Sequence, residues 1–408
     1  MHTISRRDYV RTAGALTAAA TIAGASQAVA AEGTDGIAWD HETDVLVVGC
    51  GTAGCAAALE AYDAGADVLI VEKYDWMGGT LRRCGGGVAA ADTQVQRALG
   101  VKDNPEDFFQ FIMKGCEGYP NEELVRDWTM NSASVIDWLI DDLGGLPADQ
   151  WGFSDDIEGG LEYSHDTGLN VGTPTTFDEI GMSPVPRTHW FPANEDDPIL
   201  AEPEKYFYYP SPGGTGLWQL VNTAMDKRGI QTLTETTFAS LITADGSNEV
   251  IGAVCESGGS EIRIKARKAV ILACGNFASN KELFRNYTGE DYEPNAMGGM
   301  GIDLPTDNDG SGILAAQALG AELVFPSLVG KNHDTPTGFS AGMAGVKVDL
   351  NGRVIDVFGK EIPRLYAAGL TAGGIIVKNY PCCGSSVSRS LSFGRKSGTD
   401  AAKLESWS

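Results

Sequence analysis

The residues with the clearest chemistry stand near the start of the chain. Gly49-Cys50-Gly51-Thr52-Ala53-Gly54 spells G-x-G-x-x-G, and Glu72 follows 18 residues after Gly54. Gly49 permits a tight turn, Gly51 lets backbone approach a pyrophosphate, and Gly54 lets the next helix pack close on the preceding strand. The helix that begins at Ala53 offers free N–H groups and a positive dipole end to phosphate. An acid placed like Glu72 accepts hydrogen bonds from a ribose 2′-OH, which favours an unphosphorylated ribose. Lys73 follows, then Gly78-Gly79-Thr80 and Gly85-Gly86-Gly87. A nicotinamide nucleotide needs no second glycine cluster there. A flavin dinucleotide, which extends further across a sheet, does.

These groups need elements to hold them. Asp44–Val48 is a short, β-branched apolar run, the pattern of a buried parallel strand. Ala53 to Ala64 reads as a helix and Asp67–Val71 as the next strand. Leu124–Leu143 reads as one amphipathic helix with Leu124, Trp128, Val135, Leu139 and Leu143 on its core stripe. Leu217–Arg228 is a helix. Gln231–Lys265 alternates as short antiparallel strands, with turns at Asp245-Gly246 and Gly258-Gly259.

Taken together, these motifs resemble the fumarate reductase/succinate dehydrogenase flavoprotein superfamily, which includes the 3-ketosteroid Δ1-dehydrogenases. Its fingerprint is G-x-G-x-x-G, then E-K, then G-G-[NST]. The likeness continues downstream. Ala269–Gly275 is similar to the second flavin strand ending A-T-G-G, with Cys274 for Thr and Asn276 for the second Gly. Asp309-Gly310-Ser311-Gly312 resembles T-G-D-G, with Ser311 for the acid. Leu365-Tyr366-Ala367-Ala368-Gly369 resembles L-Y-A-A-G-E, with Leu370 for the acid, and Phe393-Gly394-Arg395 matches F-G-R. The resemblance implies an α/β, Rossmann-like FAD-binding domain, a parallel sheet plus an antiparallel meander, assembled from residues 40–146, 215–320 and 346–408. It implies FAD as cofactor, held by Gly49, Gly51, Ala53, Gly54, Glu72, Lys73, Gly78, Gly79, Thr80, Gly86, Gly87, Ala273, Gly275, Gly310 and Gly369. The N-terminus of the last helix, Ser385, Ser386 and Val387, is expected to face the flavin pyrimidine and stabilise its anionic reduced form.

In the family a full cap domain precedes the last flavin segment. Here only residues 321–345 occupy that place, fewer than the ~50 residues of a small domain. The cap is expected to be largely missing. The loop-rich stretch 147–214, with its aromatic run Tyr206-Phe207-Tyr208-Tyr209, is expected to act as a flap or reduced cap. A partner subunit could cover the site instead, or it could stand open.

The catalytic reading also comes from the resemblance. Tyr380-Pro381-Cys382-Cys383-Gly384 resembles the Y-P-x-x-G of the ketosteroid dehydrogenases, in which the Tyr hydroxyl and the Gly N–H polarise a substrate ketone. Arg187-Thr188-His189 resembles an R-x-H of the family and makes His189 a candidate proton donor. His165 and His333 fall in polar loops. The fumarate reductase signature is missing: Ala341–Gly345 has no His, and Pro381 stands where the arginine clamp for a dicarboxylate would be. The resulting expectation is an FAD-dependent oxidoreductase moving a hydride at a C–C bond adjacent to a carbonyl, on an enone- or ketosteroid-like substrate. The alternatives are a fumarate-type enoate reductase and a flavin-binding protein with degraded catalysis. No histidine or cysteine spacing suits a metal, and no haem or iron–sulfur motif is present, so a separate electron carrier or membrane-bound redox partner is expected.

Composition agrees with a soluble globular chain: 408 residues, 43% hydrophobic and 21% charged, with 52 glycines in clusters but no G-X-Y period. Thirty Lys and Arg against 55 Asp and Glu give a net charge of −25. Such a surface repels phosphate backbones and excludes nucleic acid as a partner. Residues 1–30 read as a twin-arginine signal: Ser5-Arg6-Arg7-Asp8-Tyr9-Val10, the small apolar run Ala13–Ala25, then Ala28-Val29-Ala30. That run is too short and weak for a stable membrane span. The expected destination is the periplasm or cell envelope, with the cofactor loaded before export. The eight cysteines include no C-x-x-C, and Cys382 and Cys383 are adjacent, so most read as small buried residues rather than disulfides.

Overall fold

The computed structural model describes residues 29–30, 36–154, 168–171, 174–193, 196, 212–277, 279–288, 308–324, 330–331, 339–340, 344–377 and 379–407. Nine strands form the main sheet. Its centre is β2 (His41–Val48), in which Val45, Leu46, Val47 and Val48 are all buried. Apolar residues on both pleat faces mean both faces are covered, as in a doubly wound sheet. β2 pairs in parallel with β3 (Val68–Val71), and β3 with β7 (Gln231–Leu233). β8 (Thr236–Thr243), β9 (Val250–Ser257) and β10 (Ser260–Leu272) form the antiparallel meander. β10 is 13 residues long and joins the two regions. Its first half pairs with β9, while a bulge between Ala266 and Ala269 resets its register on β2. Its last residues, Val270–Leu272, pair in parallel with β12 (Glu361–Ala367), which carries β11 (Arg353–Ile355) on its far side. β1 (Val29–Ala30) adds an edge beside β8. The α/β architecture is the expected one.

Helix α1 (Thr52–Asp63) packs on this sheet through Ala56, Ala57, Ala58 and Ala61, and against the C-terminal helix α6 (Ser385–Ala402). Small residues let the two backbones approach: a Cβ on Gly394 would overlap the carbonyl of Ala53, and one on Gly398 that of Ala57. Phe108, Phe111, Ile112, Leu124 and Trp128, from helices α2 (Pro105–Gly115) and α3 (Glu122–Met130), join the core on one face. Helix α4 (Pro212–Arg228) packs on α1, and α5 (Ser311–Ala318) follows the second flavin segment.

The expected helix over Leu124–Leu143 is broken. α3 ends at Met130, and the chain resumes as Ala133–Asp137 and a wider turn over Trp138–Asp142. Asn131 Nδ2 donates to the Asp127 carbonyl and Ser132 Oγ to that of Thr129. These side chains compete with the helical ladder at the break. The apolar stripe survives, with all five of its residues buried. From stretch 147–214, β5 (Gly168–Asn170) and β6 (Thr188–Trp190) pair antiparallel, and β6 also pairs with β4 (Val88–Ala89). The aromatic run Tyr206–Tyr209, His165, His333, Ala341–Met343 and the signal motif at residues 5–28 lie outside the described residues. Between 321 and 345, Leu323–Val324 pairs with Gly345–Val346. The eight cysteines are free thiols, five of them buried.

Candidate functional site

The carboxyl ends of β2, β3 and β10 open onto a solvent-open cleft of about 900 Å³, the space at its mouth included. This is where ligands sit in open α/β sheets. Gly49, Gly51 and Ala53 line it from the turn after β2. Glu72, Lys73, Gly79 and Thr80 line it after β3, Ala273 and Gly275 after β10, and Gly369 after β12. Other expected residues shape the walls from behind. A Cβ on Gly54 would overlap the Gly49 carbonyl, so close helix–strand contact requires glycine there. Gly78 N–H donates to the Cys50 carbonyl at 2.9 Å. Gly310 sits between two wall residues, Asp309 and Ser311. Gly86 precedes Gly87, which packs against Thr188 and Gly384.

The walls fit a flavin dinucleotide. A Cβ placed on Gly51 would meet nothing within 4 Å, so this backbone faces open space, as close approach by a pyrophosphate demands. The Glu72 side chain is fixed from both ends: Oε2 accepts from the Cys50 N–H at 2.9 Å and Oε1 from that of Tyr74 at 3.2 Å. Each carboxylate oxygen keeps acceptor capacity for a ribose diol. Several wall residues escape a reading of local motifs. Thr236, Thr237 and Phe238 come from β8, whose place beside the cleft is a matter of sheet register. Asn308 accepts the Asn276 N–H through Oδ1 at 3.1 Å. Asp309 and Ser390 also line the cleft, and so do Ser311 and Leu370, which replace the family's acids.

The Tyr380–Gly384 loop leads directly into α6. Gly384 has φ 83 and lies against Gly87, and its carbonyl accepts the Ala89 N–H at 3.3 Å. A side chain would be strained there by the left-handed backbone and blocked by Gly87. Tyr380 is half-buried, and its hydroxyl oxygen accepts the Ser386 N–H at 3.2 Å. Ser385 N–H and Oγ both donate to the Cys382 carbonyl, at 3.2 and 2.6 Å. The N–H groups of residues 385 and 386 are therefore committed within the protein, and Val387 is buried. Burial first, then the neighbouring Cys383 thiol, raises the Tyr380 hydroxyl far above the usual phenol range. Neither Tyr380 nor Gly384 lines the dinucleotide cleft. α6 connects the two places, binding Tyr380 through Ser386 and lining the cleft with Ser390 one turn later.

His189 has a different role from the one expected. It is 0% exposed in β6 and is not a wall of the cleft. Nδ1 lies 2.9 Å from the Arg187 carbonyl and 3.0 Å from that of Val88, while Nε2 is 2.9 Å from Thr93 Oγ1. Those partners assign the proton to Nδ1 and make Nε2 the acceptor of the Thr93 hydroxyl. Burial lowers its pKa to about 4, so the ring is neutral near pH 7. It is a buried tie between β4, β6 and Thr93, not a proton donor. Arg187 is equally enclosed. It grips Asp103 through Nη2 at 2.6 Å and Nε at 2.8 Å, among the rings of Phe108, Phe111 and Phe177.

Comparison with known proteins gives the same picture. The profile described as "FAD binding domain" matches residues 44–329 and 340–387. The NADH:fumarate oxidoreductase of Klebsiella pneumoniae is 29% identical over 299 residues, 73% of this chain and 27% of that protein. The digoxin reductase of Eggerthella lenta is 28% identical over 364 residues, 82% of this chain and 58% of that protein. The chain thus spans less than two thirds of the length of either relative. Among solved structures, the 3-ketosteroid-Δ4-(5α)-dehydrogenase of Rhodococcus jostii RHA1 superposes with a TM-score of 0.75 at 23% identity, covering 92% of this chain and 100% of that one.

Proposed function

Because the chain belongs to the FAD-binding domain family, we propose that it is an FAD-dependent oxidoreductase acting at a carbon–carbon bond adjacent to a carbonyl, with enones or ketosteroid-like ketones as its substrate class. FAD, when bound, supplies the hydride donor or acceptor at N5. The chain's own residues do the rest. Gly51 and the first turn of α1 receive the pyrophosphate, and Glu72 holds the ribose. Tyr380 orients and polarises the substrate carbonyl.

The observation that carries this reading is the Ser386 N–H donating to the Tyr380 hydroxyl. It fixes the oxygen at a helix N-terminus and leaves the phenolic proton to be donated. A donor fixed in advance favours the charge that builds on a ketone oxygen in the transition state. The names of two relatives, an NADH:fumarate oxidoreductase and a digoxin reductase, support reductase chemistry on a small organic substrate. Pro381 in place of an arginine argues against a dicarboxylate. The test is anaerobic: the photoreduced protein is mixed with a panel of enones, ketosteroids and enoates, and flavin reoxidation is followed. Faster turnover of fumarate than of any ketone would reverse the assignment, and reoxidation by none would favour a binding protein without turnover.

The same reading places the protein outside the cytoplasmic membrane, exported by the twin-arginine route and exchanging electrons with a separate carrier or membrane-bound partner. It is supported by the ordered features at residues 5–30 and by the lack of haem and iron–sulfur motifs. No helix among the described residues is long and apolar enough to cross a membrane.

A further inference from the structure

The acid of the T-G-D-G segment has moved. In the family pattern Thr stands at 309 and Asp at 311, whereas this chain has Asp309 and Ser311. In the structure the displaced carboxylate faces the opposite wall of the cleft, with Asp309 Oδ2 3.6 Å from Lys73 Nζ. Both residues line the cleft, Lys73 from the end of β3 and Asp309 from the approach to α5. The acid is firmly mounted. Its Oδ1 accepts the Ser311 N–H at 2.9 Å, its carbonyl accepts from Asn280 Nδ2 at 3.0 Å, and the next N–H, of Gly310, donates to the Asn276 carbonyl at 2.8 Å. Lys73 reaches across from a backbone held where the Glu72 N–H donates to the Leu233 carbonyl at 2.9 Å.

An ion pair whose side chains are 26% and 43% exposed adds little to the stability of a fold. Its position is more informative than its strength, because it bridges two walls contributed by chain segments more than 200 residues apart, beside the acid that receives the ribose. We propose that Lys73 and Asp309 form a clasp across the adenosine end of the cleft, and that Asp309 is a cofactor-retaining residue that takes over from the acid missing at 311. The clasp rests on FAD occupying this cleft, and its purpose is retention: the pair must part for the dinucleotide to leave.

The experiment measures FAD release from the full-length holoprotein, by recovery of flavin fluorescence after dilution into a trap. The proteins are wild type, Lys73→Met, Asp309→Asn, the double variant and the charge swap Lys73→Asp with Asp309→Lys. Asparagine keeps an oxygen for the Ser311 N–H, so the start of α5 is preserved, and circular dichroism checks this. Each single variant should release FAD roughly two- to fivefold faster, the range of a partly exposed pair. The double variant should be no faster than either single, and the swap should recover most of the loss. Raising ionic strength should speed release from wild type more than from the double variant. Unchanged release in the singles, or multiplied effects in the double, would overturn the clasp. A wild-type protein that takes up no FAD would instead refute the cofactor assignment on which it rests.

Discussion

At the scale of the residue, Gly51 and Tyr380 separate cofactor binding from chemistry. Gly51 faces open cleft, so a side chain there would not disturb the fold but would fill the space a pyrophosphate needs. Gly51→Val should purify folded and without visible flavin absorbance, and normal flavin content in that variant would contradict the site. Tyr380→Phe should retain its flavin, because Tyr380 is not a wall of the cleft. By comparison with other donors to a developing oxyanion, it should lose roughly 10²-fold in rate with a ketone that reoxidises the wild-type flavin. pH sharpens this test. The hydroxyl's pKa is raised, so the donating form persists upward through the range in which an ordinary tyrosine ionises, near pH 10. The wild-type rate should therefore show no loss assignable to a phenol up to that pH. A fall with the titration of an exposed tyrosine would place Tyr380 elsewhere.

The element scale explains what His189 does and why the sequence misleads about it. The three-stranded sheet β4–β6–β5 holds the Gly85–Gly87 run against the Tyr380 loop, and His189 lies at its centre. Its folded pKa of about 4 lies below the unfolded value near 6.5, so the unfolded chain binds the extra proton between those values. Stability is therefore full above pH 6.5 and declines as the pH falls toward 4, by about 3 kcal/mol in all. Urea unfolding from pH 7 to 4.5 should show this loss, and His189→Gln should flatten the acid limb while lowering the plateau. An identical slope in both proteins would show that another group is responsible. An R-x-H motif states a spacing and says nothing of burial, so the sequence could not reveal that β4 and β6 enclose the ring. Where the chemistry is local, as in the β2–α1 turn with Glu72 after β3, strand, turn, helix and acid are all legible. Where it depends on register, as with Thr236–Phe238, or on side chains that interrupt a periodic stripe, as with Asn131 and Ser132, the linear pattern carries no signal. The lost acid at Ser311 reads as a defect in sequence, and only the tertiary approach of Lys73 gives Asp309 a role.

For the whole molecule, charge and assembly set the testable consequences. The proposed export of the folded protein rests on the ordered leader features at residues 5–30 and is tested there. Arg6→Lys with Arg7→Lys keeps the charge but alters the pair a receptor reads, so uncleaved precursor should accumulate in the cytoplasm. Unchanged export would show an ordinary secretory signal or none. Assembly makes a different demand. The cleft walls come from residues near 48–53, 71–74, 79–81, 236–238, 273–275, 308–311, 369–370 and 390, so the flavin site exists only when distant segments are docked on one sheet. The unfolded chain has no such site, and FAD must therefore act as a folding ligand, stabilising the native state by RT ln(1 + [FAD]/Kd). At 100-fold excess over Kd that is about 2.7 kcal/mol, enough to raise the melting temperature of a domain this large by several degrees. The expected result is a melting temperature that climbs with the logarithm of free FAD in the wild-type apoprotein and stays flat in Gly51→Val. The urea midpoint should rise with FAD while its slope holds, since the surface exposed on unfolding changes little. If both proteins respond equally, FAD is binding somewhere other than this cleft. If neither responds while wild type still carries flavin, the unfolded chain retains a binding segment, and the β2–α1 unit alone would be the place to look for it.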